Sequence, residues 1–161
     1  MLANLSEQAR IWIFQADREL NEEEQNRLKA VFEQFIPQWA THGNDLYAAF
    51  EFEQPYFLIV GVDEAKMPAS GCSIDSMMRV VRDLGDALKV DFTNRLIVAY
   101  EDQNAELKLA NTETFKSLIK KGEVDENTVV YNNLVQTKAE LENGWKTTVA
   151  NSWHKNMLAL V

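Results

Sequence analysis

Apolar residues recur along this chain at two spacings, and those spacings divide it into strands and helices. Arg10 to Gln15 is apolar at Ile11, Trp12, Ile13 and Phe14 in succession, which suits a strand covered on both faces and predicts a place inside a sheet. Leu28, Val31, Phe32, Phe35 and Ile36 return every three or four residues, the stripe of a helix with one buried side. Asn21 followed by Glu24 has the form of a capping box at the start of that helix, Glu22 and Glu23 meet the positive end of its dipole, and Pro37 ends or kinks it before Trp39.

Further on, Leu46 to Glu53 and Tyr56 to Asp63 read as two strands of a hairpin across Gln54 and Pro55. A second helix carries Ile74, Met77, Met78, Val81, Leu84 and Leu88 on one face, with Ser73 as its expected N-cap and both methionines as packing residues. Arg95 to Tyr100 and Ala105 to Leu109 form a strand pair. Asn111 or Thr112 then caps a short helix bearing Phe115, Leu118 and Ile119, Gly122 ends it, and Thr128 to Tyr131 is a brief strand.

The leading order β-α-β-β-α-β predicts an α+β protein with a ferredoxin-like core sheet over about residues 8–103, followed by a C-terminal β-α-β-α extension over about 104–161. Without repeat, low-complexity tract or linker, the expectation is a single domain over residues 1–161.

Composition narrows the partners. A length of 161 residues with 46% hydrophobic content supports a core without disulfide or metal staples. The one cysteine, Cys72, has no internal partner, and the opening MLANLSEQAR has neither a basic start nor an apolar signal core, so the expected location is the cytoplasm. Phe57 to Val60, continued to Val62, is far short of the roughly 20 residues that span a bilayer, which excludes membrane insertion of a helix. A net charge of −9 repels phosphate backbones, which excludes nucleic acid as the expected partner.

Chemistry is sparse. No Gly-rich loop ends in Gly-Lys-Ser/Thr and no G-x-G-x-x-G string occurs, so nothing here grips the phosphates of ATP or a dinucleotide and no cofactor is expected. Gly71-Cys72-Ser73-Ile74-Asp75 puts a thiol near the positive end of a helix, where thiolate is favoured, although Asp75 opposes that. The only imidazoles to serve as its base are His42 and His154. The competing reading makes Cys72 a small buried hydrophobe, Ser73 a cap and Asp75 a dipole partner.

Trp39 precedes His42 by three residues and Trp153 adjoins His154, so either imidazole has a large ring at hand to help line a pocket. Two histidines and one cysteine, all far apart, match no metal-site spacing. Asn132 and Asn133 read as a turn or as amides offered to a ligand. The rings of Trp145 and Trp153 are expected to complete the core.

The strings RIWIFQADREL, WATHGNDL, SGCSID, VVYNNLVQTKAELENGW and NSWH resemble, over nearly the whole chain, a family of short bacterial proteins typical of Bacteroidota whose members often carry the name "ABC transporter ATPase". That name implies a Walker lysine, an ABC signature string and a Walker B acid. None has a position on this sequence, so ATP hydrolysis is not carried over. The stretch holding Phe115, Leu118, Gly122, Val124, Thr128, Val130 and Trp145 is similar to part of GYF-like domains, which implies peptide binding, but without the glycine-tyrosine-phenylalanine string no binding residue is transferred.

The sequence therefore predicts a cytoplasmic, non-catalytic binding or protein-interaction domain with a protein or small-molecule partner. Its candidate ligand-binding residues are Trp39, His42, Cys72, Ser73, Asp75, Asn132, Asn133, Trp153 and His154. The alternative is a small thiol-dependent enzyme or redox protein using Cys72 with His42 or His154 as base.

Overall fold

The computed structural model describes residues 2–161. The chain gathers into two compact units, one running up to Thr93 and including Gln136–Leu141, the other formed by Asn94–Val135 and Glu142–Val161. Mixed helix and antiparallel sheet make the protein α+β. No helix among the described residues is long and apolar enough to cross a membrane.

In the first unit, strands β1 (Arg10–Gln15), β4 (Ala48–Glu53) and β5 (Phe57–Val62) form a three-stranded antiparallel sheet in the order β1-β5-β4. Arg10 lies opposite Val62 and Gln15 opposite Phe57, while Ala48 and Glu53 face the same two residues from the other side. The centre belongs to β5 because its sequence, FLIVGV, carries no polar side chain and every residue of it is buried. This corrects the expectation that Arg10 to Gln15 is an interior strand. On its other edge β1 makes, among the described residues, a single bridge from Arg10 to Thr137, with Ile11 N–H donating to the Gln136 carbonyl at 2.9 Å. At Gly61 a Cβ would lie 2.6 Å from Leu5 and 3.0 Å from Leu2 and Ile11, so the turn Leu2–Asn4 packs on bare backbone there.

Helix α1 (Glu22–Phe35) begins at the expected capping box, in which Asn21 accepts from Glu24 N–H and the Glu24 side chain accepts from Asn21 N–H. Pro37 falls in a short 3-10 turn, Ile36–Gln38. The chain then makes a small hairpin that the periodicity did not indicate, β2 (Ala40–Thr41) and β3 (Asn44–Asp45). Helix α2 (Gly71–Leu88) follows β5. Phe14, Leu28, Phe32, Trp39, Phe50, Leu58, Val60, Met77, Val81 and Leu84 form the core between these helices and the sheet.

The ferredoxin-like sheet expected from the sequence needs Ile97–Glu101 beside these strands, and it is not there. That segment, β6, lies in the second unit within a four-stranded antiparallel sheet, β7-β6-β8-β9, with β7 Leu107–Asn111, β8 Val129–Tyr131 and β9 Lys146–Thr148. Local bonding explains the difference. The Asp102 carboxylate accepts from the N–H groups of Asn104 and Glu106 at 2.8 and 3.0 Å, closing a tight turn that commits β6 to β7 from Ile97 to Glu101. The other edge of β6 pairs with β8 at Tyr100 and Val130, leaving no side for the first sheet. β6 accordingly belongs to the unit that begins at Asn94.

Helices α3 (Thr112–Lys120), α4 (Lys138–Gly144) and α5 (Lys155–Leu158) complete the chain. Asn111 supplies the cap of α3 through a bond from Thr114 N–H. The second unit has its own core of Val98, Ala110, Phe115, Val124, Val130, Val149 and Met157.

Candidate functional site

Cys72 is exposed, which overturns the expectation of a buried thiol. The reason is the register of α2. Ser70, not Ser73, is the N-cap, its hydroxyl accepting from Ser73 N–H at 3.1 Å while the Ser73 hydroxyl accepts from Ser70 N–H at 2.8 Å. With the start moved three residues back, Ser73 becomes the third helical residue and turns inward, 2% exposed, and Cys72 and Asp75 fall on the solvent side.

Trp39 is buried and its indole N–H donates to the Ser73 carbonyl at 2.8 Å. Its ring packs against Phe35 and Trp12, so it belongs to the core. His42 is exposed and occupies the hairpin turn with Gly43, both at positive φ (49° and 80°), the pairing that a two-residue turn with right-handed strand twist requires. The Asn44 amide reaches back to its carbonyl at 3.5 Å. What holds His42 in place is backbone geometry.

In the second unit the histidine has the opposite environment. His154 is 1% exposed, and its Nδ1 lies 2.8 Å from the hydroxyl of buried Ser152. Burial holds its imidazole down at about 4. One face of that ring carries the indole of Trp153, with centroids 3.9 Å apart and planes 25° apart. Trp153 itself remains 36% exposed, which corrects its assignment to the core. The pair is thus a tryptophan pinned against a neutral imidazole, with its remaining surface facing solvent.

Asn132 and Asn133 are used within the fold. Asn132 accepts from Leu134 N–H at 3.2 Å, and its own N–H donates to the Trp145 carbonyl at 2.6 Å. Asn133 accepts from the Trp145 indole N–H at 2.9 Å. Trp145 stacks edgewise on Tyr131 at 5.1 Å, and Tyr131 and Lys146 both reach the Glu101 carboxylate, at 3.3 and 2.6 Å. Sequence reasoning singled out Asn132, Asn133 and Trp145 but not Glu101, Tyr131 and Lys146, which come from three strands and share one sheet face only once the register is known.

The candidates therefore separate. Cys72, Ser73, Asp75, Trp39 and His42 belong to the first unit, and Asn132, Asn133, Trp153 and His154 to the second. Among the described residues no three His, Cys, Asp or Glu side chains converge as metal ligands. An open depression of about 550 Å³ at the end of α2, flanked by Arg82, Lys89, Asp91 and Phe92, includes none of the candidates. No protein-family model, no curated protein and no solved structure matches the chain.

Proposed function

We propose that this chain is a non-catalytic protein-interaction protein whose second unit presents Trp153 to a peptide or protein partner. The carrying observation is the stack of exposed Trp153 on buried His154. A tryptophan already fixed against a rigid ring loses little side-chain freedom on binding, and large rings of this kind supply a disproportionate share of interface energy. The same contact occupies His154 structurally, since its other interactions are Ser152 and the Phe115 ring at 6.3 Å. The resemblance of the Phe115 to Trp145 stretch to GYF-like domains implies peptide binding and falls largely in this unit.

Peptides selected on the folded protein from a random display library should lose at least about tenfold in affinity on Trp153→Ala, on the order of 1.4 kcal/mol, with the circular dichroism spectrum unchanged. Selected peptides that bind Trp153→Ala as well as wild type would remove Trp153 from the binding surface.

Exposure of Cys72 at the second position of an 18-residue helix favours a second reading, the thiol-dependent enzyme or redox protein. Iodoacetamide separates the two. On the interaction reading Cys72 reacts at neutral pH within roughly threefold of N-acetylcysteine, and His42→Ala leaves that rate alone. Alkylation more than about a hundredfold faster, slowed by His42→Ala, belongs to the enzyme.

A further inference from the structure

A small depression in the second unit lies between the β6–β7 turn and the C-terminal turn of α3, with a volume of about 260 Å³ and a lining that includes Tyr100, Asp102, Leu118, Glu123 and Val124. Pockets for drug-sized ligands start near 300 Å³, so this space suits a single side chain. Local bonds fix both of its walls. On one side the Asp102 carboxylate accepts from two N–H groups of its own turn. On the other, Gly122 at a φ of 75° ends α3, its N–H donating to the Ile119 carbonyl and Glu123 N–H to the Leu118 carbonyl, which folds Glu123 and Val124 back over Leu118. The Tyr100 ring is held edgewise on Phe115, 5.6 Å between centroids.

The charged residues of the lining are both acidic. It combines an aromatic ring, two aliphatic side chains, the amide residues Gln103 and Asn104, and the acids Asp102 and Glu123. Burial, then the charges of Asp102 and Glu123, push the Tyr100 phenol above its ordinary value, so both acids act on one oxygen. The cation opposing them there, Lys108, is held by Glu106 at 3.1 Å. A flat, weakly hydrated cation meets all of these features together, because it can lie on an aromatic face and fork its N–H donors onto carboxylates. We propose that this depression receives the guanidinium of an arginine side chain from a peptide partner, a ligand chemistry that rests on the interaction reading and narrows it.

Titration of the ¹⁵N-labelled protein with N-acetylarginine methylamide tests the site, with the citrulline analogue as an uncharged probe of nearly the same shape. Saturable amide shifts at Tyr100 to Asn104 and Leu118 to Val124 are expected with arginine and not with citrulline. Glu123→Gln, a change at an exposed side chain, should weaken the arginine response at least about threefold. Absence of shifts in these segments, an equal response to citrulline, or an unaltered affinity in Glu123→Gln would overturn the proposal. Loss of the arginine response while selected peptides still depend on Trp153 discards this site alone. A specific arginine response with peptides indifferent to Trp153 supports the site and discards the Trp153 surface.

Discussion

Burial holds the His154 imidazole near 4, whereas the unfolded chain returns it to its ordinary 6.5. Between those values the unfolded state binds the extra proton, so the stability tied to the neutral ring is complete above about pH 6.5 and is lost as pH falls through 4. The difference corresponds to at most about 3 kcal/mol. Urea unfolding of wild type against His154→Gln from pH 7 to pH 4 should show the wild-type midpoint falling more steeply than that of the variant. Parallel profiles would mean that the imidazole is not held neutral. Little of this was legible from sequence, since Ser152-Trp153-His154 reads equally well as a pocket lining. Only the placement of Ser152 and Phe115 around the ring decides that His154 faces inward and Trp153 outward.

The contrast between α1 and α2 shows which element boundaries a sequence reveals. Asn21 and Glu24 are chemically distinct, and only one arrangement makes them a capping box. At α2 the box is built from Ser70 and Ser73, two identical side chains three residues apart, and nothing in their chemistry distinguishes the cap from its partner. Ser70 is the cap, which turns Ser73 inward and leaves Cys72 exposed. Ser70→Ala should cost about 1 kcal/mol of unfolding free energy. Cys72→Ser should cost less than about 0.5 kcal/mol, because the thiol is exposed. Equal losses for the two in urea denaturation would contradict the observed helix start. The β2–β3 hairpin is illegible for a related reason, as its two-residue strands are too short to show a period and His42-Gly43 is not one of the Asn-Gly or Asp-Gly pairs that mark such a turn.

At the scale of the molecule, the partners across each hairpin were readable, β4 with β5 and β6 with β7, and the grouping of those hairpins into sheets was not. The apolar runs at Arg10, Phe57 and Ile97 each became strands, but the assignment of Ile97–Glu101 to a second sheet depends on pairing with Leu107–Asn111 and Val129–Tyr131. A one-dimensional pattern records which faces are apolar and leaves open which strand covers which edge. The same limit applied to the site, where aromatic residues of similar composition became core in one case, Trp39, and surface in another, Trp153. Large apolar side chains stand exposed at Tyr47, Leu96, Leu134, Trp153, Leu160 and Val161. Of these, Trp153 stacks on the His154 ring, and Tyr47 lies under the Lys66 ammonium at 4.9 Å. An alanine scan of these positions against one display-selected peptide is the most direct test. The account predicts a loss of at least about tenfold in affinity at Trp153 and changes within about threefold at each of the others. A peptide that loses its affinity at Tyr47 in the first unit and keeps it at Trp153 would contradict it.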